Sequence, residues 1–380
     1  MKKSLSMFYI LAYVAIFLTA CQKGGEEFED GRIIKVVPGE SIQDKLDQAD
    51  PGDIILVSPG TYKPEVKGEA FIVFREKHSG VTLKGAGEGP EEVILDGDQK
   101  VLHVIYFDQG IGRETVISNL TIKGGYAYPE EILPSDYTPV LRKEIGLDDD
   151  FYHDGGGIMV YNASPTIKGN IITGNTTEYC GGGISSFSPQ DDSIFSYNRW
   201  KKLFTPGEGP LIYGNIISHN TTLMTGGGVD VYYWARAVMI NNLFEANISN
   251  RAGGAIAILD KATAEIHGNT IIRNSSRKYG SGIAVYRKSR AVNISNSIFA
   301  FNRGADVIES KGSEISVTDS CFYDNEGNYV PPESRGNIAD APVFIRASNK
   351  NYLLDQNDDG QKIQSLCIDK GWKSEYAFYE

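Results

Sequence analysis

From residue 155 onward the chain repeats one order of glycine, apolar and polar positions. The copies read "GGGIMVYNASPTIKGNIITGN" from Gly155, "GGGISSF" from Gly181 with "PLIYGNIISHN" from Pro210, and "GGGVDVYYWARAVMINNLFEAN" from Gly226. "GGAIAILDKATAEIHGNTIIRN" follows from Gly253, "GSGIAVYRKSRAVNISNSIFAFN" from Gly280, and a degraded "GADVIESKGSEISVTDSCFYDN" from Gly304. The period is about 25 residues, a length suited to one coil of a stacked β-solenoid. After the glycines, Ile158 and Val160 fall on one side of a strand and Met159 and Tyr161 on the other. Ile167 and Ile172 add inward positions in the second half. Asn170, Asn215, Asn242 and Asn269 recur at one offset, and Asn175, Asn220, Asn247, Asn274, Asn302 and Asn325 at another. Asparagine tolerates left-handed backbone and bonds to its stack neighbours in tight turns. Glycine serves the other corner, where positive φ is needed. The pattern therefore predicts short parallel strands, glycine corners and asparagine ladders around an isoleucine interior.

Upstream, "TVISNLTIKGG" around Asn119 keeps the rhythm, with Leu120 at the first ladder position. "SIQDKLDQADPGDIILVSPGTY" opens with an amphipathic helix over 41–49 that places Ile42 and Leu46 on one face, a cap for the open end. These features resemble the right-handed parallel β-helices of the pectate lyase-like superfamily, and within it the Gly-Gly-Gly-Ile repeat proteins. "APVFIRASNKNYLL" and "SLCIDKG" resemble that repeat family's closing segment, with Leu366 where a proline is common. The resemblance implies an all-β, single-stranded right-handed parallel β-helix over 33–325 with a short N-terminal capping helix, and a closing segment over 326–380. It implies no single activity, because the fold hosts lyases, hydrolases, isomerases and adhesins. Neither the catalytic aspartate patterns of polygalacturonases nor the signature motifs of pectate lyases stand in the chain.

Charge and the N-terminus change the picture. The 380 residues carry a net charge of −12, which argues against nucleic acid as a partner. Lys2 and Lys3 precede an uncharged apolar run over 7–18, shorter than a membrane span. Residues 1–20 read as a signal peptide. Leu18-Thr19-Ala20-Cys21 resembles the bacterial lipobox, which implies lipidation of Cys21 and an outer-membrane lipoprotein facing the periplasm or the cell surface; residues 21–32 read as an acidic tether, and the protein is expected to be a monomer. Of the other cysteines, Cys321 and Cys367 are either a disulfide pair or buried apolar residues, as Cys180 also is.

Candidate chemistry lies where the repeat is broken. Insertions at about 126–152 and 189–210 flank adjacent coils and wall a face of the solenoid. Between them the outward strand positions form two columns. One holds Met159, Ser185, Asp230, Ala257 and Ala284. The other holds Tyr161, Phe187, Tyr232, Leu259 and Tyr286. With Trp234, the rings Tyr161, Phe187, Tyr232 and Tyr286 make an outward aromatic ladder at about 4.8 Å spacing, suited to an extended sugar chain. A basic stripe of Arg236, Lys261, Arg287, Lys288 and Lys311 suits an anionic polysaccharide. If the protein is an enzyme, β-elimination fits better than hydrolysis. Lys261 or Arg287 would be the base, Arg236 the neutralising cation and Asp230 a metal ligand, with His153 at the cleft edge. Hydrolysis needs two carboxyls roughly 5–9.5 Å apart, and strand geometry puts Asp260 about 11 Å from Asp230. "DQNDDGQ" supplies half of a calcium loop through Asp355, Asn357 and Asp359, without its closing glutamate. A non-catalytic structural or adhesive solenoid is the alternative reading.

Overall fold

The computed structural model describes residues 31–133, 153–188, 208–290, 292–329, 332–342 and 344. Among them the strands form four parallel sheets of 10, 5, 8 and 9 strands. Each coil contributes one strand to each long sheet and climbs to the next coil. The molecule is a single-stranded right-handed parallel β-helix, the hand that parallel crossovers take. In one coil the chain passes from the eight-stranded sheet at Val229–Tyr232 to the ten-stranded sheet at Arg236–Ile240. It continues into the nine-stranded sheet at Leu243–Glu245 and the five-stranded sheet at Ile248–Ser249. Register is strict: Ile184, Val229, Ile256, Ile283 and Ile308 stack in one column.

The interior follows the predicted alternation. Ile158, Val160, Ile167 and Ile172 belong to one apolar core that extends from Val36 to Phe322. Both asparagine ladders are present and buried. Asn170 Nδ2 donates to Asn215 Oδ1 at 3.1 Å, Asn215 to Asn242 and Asn242 to Asn269 at 3.0 Å. The second ladder continues in the same way from Asn175 to Asn325. In both, the amide also donates to a core-strand carbonyl, as Asn242 does to Ile212 O at 2.8 Å. One expectation is corrected. The left-handed residue is the one before the ladder asparagine, such as Gly214, Asn241 or Ala246, and not the ladder asparagine itself. That arrangement turns the chain first and leaves the asparagine side chain aimed inward along the stack.

The corner glycines behave as predicted. Gly226 has φ +67°, and a Cβ there would come within 2.5 Å of Val229 O. Helix α1, Ile42–Asp47, closes the N-terminal end with Ile42 and Leu46 buried, and the Ser41 hydroxyl accepts from Asp44 N at 3.1 Å. Cys321 is disulfide-bonded. Its partner lies outside the described residues, since Cys180 is free. No helix among the described residues is long and apolar enough to cross a membrane. The signal peptide with Cys21, the bulk of both insertions, and Asp355, Asn357 and Asp359 lie outside the described residues.

Candidate functional site

The outward face of the eight-stranded sheet departs most from expectation. Its rings are buried: Tyr161 and Phe187 are 1% exposed and Tyr232 is 5% exposed. They form a second apolar cluster with Tyr106, Met159, Ala257 and Leu259. Ring centroids lie 5.7 Å apart for Tyr161–Phe187 and 4.9 Å for Phe187–Tyr232. An outward column of large apolar groups loses less by packing ring on ring than by facing water. The ladder therefore exists as a stack but is not an open track for a sugar chain, and Tyr161 and Phe187 are core residues.

Asp230 shares this burial. It is 0% exposed, and Thr225 Oγ1 donates to its Oδ2 at 2.6 Å, while Oδ1 has no partner. Burial pushes its carboxyl well above the ordinary carboxylate range, with Asp154 and Asp260 adding to the rise. Sealed from solvent with Thr225 on one oxygen, it presents no open face for the metal expected of it. Among the described residues no group of three or more His, Cys, Asp and Glu is placed to hold a metal ion.

The predicted basic stripe is also rearranged. Three tight turns follow successive strands and stack. Their central pairs are Tyr233-Trp234, Asp260-Lys261 and Arg287-Lys288, all with positive φ. Trp234 N donates to Asp260 O and Lys261 N to Arg287 O, both at 3.1 Å. Six non-glycine residues in the left-handed region carry backbone strain of the kind that concentrates where a side chain must be aimed. One column is then Tyr233, Asp260, Arg287 and the next Trp234, Lys261, Lys288. Arg287 Nη1 pairs with Asp260 Oδ2 at 3.0 Å, and Lys261 Nζ lies 4.2 Å over the Trp234 ring. Arg236 starts a strand of the ten-stranded sheet instead. Lys261, Arg287 and Arg236 are therefore not assembled as base and neutraliser.

What the fold brings together is a pocket of about 300 Å³ beside these turns. One wall is the residue that precedes each corner glycine: Asp154, Cys180, Thr225, Ala252 and Tyr279, the last four joined by consecutive parallel bridges. The facing wall holds Tyr232 and Tyr286 from the strands and Tyr233, Asp260 and Arg287 from the turns. Asp154 ties the walls, accepting from Cys180 N at 2.9 Å and from the Tyr232 hydroxyl. Thr225 Oγ1 lies 3.2 Å from Cys180 Sγ. Desolvation and the neighbouring Asp154 and Asp230 carboxyls push the partly exposed Cys180 thiol up, so it lines the wall as a neutral group. Burial, then Asp260, raises Tyr233, and burial, then Glu309, raises Tyr286. Both phenols stay protonated and can donate. His153 stands behind the pocket, its Nδ1 2.7 Å from Glu178 Oε2 and its ring 4.7 Å from the Tyr179 ring.

Sequence reasoning named Tyr232, Tyr286 and Arg287 of this pocket. It missed Tyr233, Tyr279, Asp154, Cys180 and Thr225 as members. Four of the missed residues stand immediately before a corner glycine, an offset the repeat shows, but they share no chemistry that would mark a site.

A family model described as right handed beta helix region matches residues 203–358. No curated protein sequence matches this one. Among solved structures, a pectate lyase is 15% identical over 80% of this chain and 72% of its own, with a TM-score of 0.49. The pectin methylesterase of carrot is 9% identical over 80% and 85%, with a TM-score of 0.35. A PL6-family alginate lyase is 14% identical over 78% and 39%, with a TM-score of 0.34. Such distant likenesses carry no functional weight.

Proposed function

We propose that this protein is a carbohydrate-binding β-helix, held to a bacterial outer membrane by a lipid on Cys21, that takes a unit of an anionic polysaccharide into the tyrosine-walled pocket. The observation that carries this reading is the convergence of Tyr232, Tyr233, Tyr279 and Tyr286 on one cavity with the Asp260–Arg287 pair at its wall. A cavity of about 300 Å³ is at the small end for a small-molecule site. Rings offer flat apolar faces to sugar C–H groups, and protonated phenols offer donors to hydroxyls. Arg287, half of whose side chain is exposed to solvent, supplies the planar donor fork that suits a sugar carboxylate. Binding is favoured over β-elimination because Asp230 is sealed, Arg287 is paired and Lys261 sits on Trp234.

The test is a panel of neutral and uronic-acid oligosaccharides titrated into the purified protein by calorimetry. Tyr233→Ala and Tyr279→Ala should each weaken binding about tenfold or more, as loss of a stacking ring does. Arg287→Ala should flatten the salt dependence of an acidic ligand. No binding across the panel, or unchanged affinity in both tyrosine variants, would sink the reading.

A further inference from the structure

A second group of reactive side chains lies on the outer face of the ten-stranded sheet, away from the pocket. Two neighbouring strands carry it, Thr263–His267 and Val292–Ser295. Alternation sends Ala264, Ile266, Val292 and Ile294 into the core and leaves Glu265, His267, Asn293 and Ser295 outward and half-buried. The register sets His267 beside Ser295 and Glu265 beside Asn293. His267 Nδ1 lies 2.6 Å from Ser295 Oγ, and His267 Nε2 lies 3.3 Å from Glu265 Oε2. Asn293 Nδ2 donates to Glu265 Oε1 at 2.8 Å and holds that carboxyl in place.

The contacts select one tautomer for a neutral imidazole. An ionised glutamate only accepts, so Nε2 carries the proton and donates to Glu265. The Nδ1 lone pair is then aimed at the Ser295 hydroxyl. A hydroxyl within reach of a base that a third group orients is the arrangement of an activated nucleophile. One strand further on, Ile315–Thr318, Thr318 pairs with Ser295 and Ser316 with Asn293. Arg335 Nη1 donates to Ser316 Oγ at 3.1 Å. Thr318 is thus the strand neighbour of Ser295 on the side away from His267, and the Arg335 guanidinium stands two residues along that strand at Ser316.

We propose that Ser295, His267 and Glu265 form an acyl-transfer site for small carboxylic esters. Ser295 Oγ bonds to the ester carbonyl carbon as its proton passes to His267 Nδ1. The bond to the alcohol oxygen breaks, and the alcohol departs with that proton. Water then adds to the acyl-serine, giving a proton to Nδ1. The acid leaves as that proton returns to Ser295 Oγ, so the products are one alcohol and one carboxylic acid. Glu265 and Asn293 are positioning residues. Neither the tyrosine-walled pocket nor a second cavity, near Arg113 and Glu114, includes any of these four residues. Neither of these cavities reaches Ser295 to enclose a long acyl chain, and among the described residues its outward position on the sheet leaves room for a bulky alcohol. The substrate class is accordingly a short acyl group, such as an acetyl, on a hydroxyl of a larger molecule.

The experiment treats the purified full-length protein with a fluorophosphonate probe, maps the labelled peptide by mass spectrometry, and follows hydrolysis of 4-nitrophenyl acetate. Wild type should be labelled at Ser295. Ser295→Ala and His267→Gln should each lower hydrolysis by about a hundredfold or more, in line with general-base catalysis. Glu265→Gln should lower kcat while keeping KM, a split that loss of a purely structural bond would not give. Wild-type protein left unlabelled at Ser295, or Ser295→Ala hydrolysing at the wild-type rate, overturns the proposal. Should Ser295→Ala melt early, the wild-type labelling result decides alone.

Discussion

Asp230 shows how far one side chain's surroundings can reverse its role. Its position on the outward side of a strand suggested a ligand for a metal, yet it is sealed behind Thr225 with one oxygen unpartnered. Its carboxyl is held well above the ordinary range by burial, so the folded chain keeps a proton that the unfolded chain gives up near pH 4. A state that binds more protons loses stability as pH rises, and here the loss grows from the carboxylate range upward toward the folded-state value. Asparagine copies the protonated acid's shape without that slope. Asp230→Asn should melt with wild type near pH 4 and progressively above it toward pH 8, read as thermal midpoints across the series. Parallel curves would show that the buried group is ionised.

The ladders test the same logic in the turns. Asn242 Oδ1 accepts from Asn215 N and Nδ2, while its own Nδ2 donates to Ile212 O and Asn269 Oδ1. Asn242→Ala removes all four and strands buried partners, so it should cost about 1–3 kcal/mol. Lys168→Ala, at an exposed position, is the control. Coincident urea midpoints for the two variants would contradict the ladder's role. These elements were legible in the chain because the repeat forces one residue type to one offset: Ile158, Val160, Ile167 and Ile172 inward, asparagine in the turns, α1 over the end. The site was legible in part. Strand alternation tells which side Tyr161 and Phe187 take but not whether that side meets water. Asp154, Cys180, Thr225, Ala252 and Tyr279 share an offset but no chemistry, so no composition pattern marks their wall. The Asp260–Arg287 pair could have been read, since both follow the strand at one offset on consecutive coils.

For the molecule as a whole, the proposed envelope setting rests on Cys21. Metabolic labelling with a clickable fatty acid should mark wild type and spare Cys21→Ser, and equal labelling of both would remove the membrane from the picture. Were a chain fixed at that end also held at its other end, tension would act along it, and the coil geometry dictates its response. Backbone bonds between coils and the amide chains of both ladders all lie along the long axis, joining each coil to the next. A pull on the two ends therefore loads one coil's bonds at a time, as in peeling, while a sideways load is shared across many coils at once. Each coil that peels frees 27 residues in the regular stretch, about 90 Å of extended chain. The β-helix would yield coil by coil under tension, in even steps only along the stretch where successive coils are 27 or 28 residues long, yet stay stiff against shear.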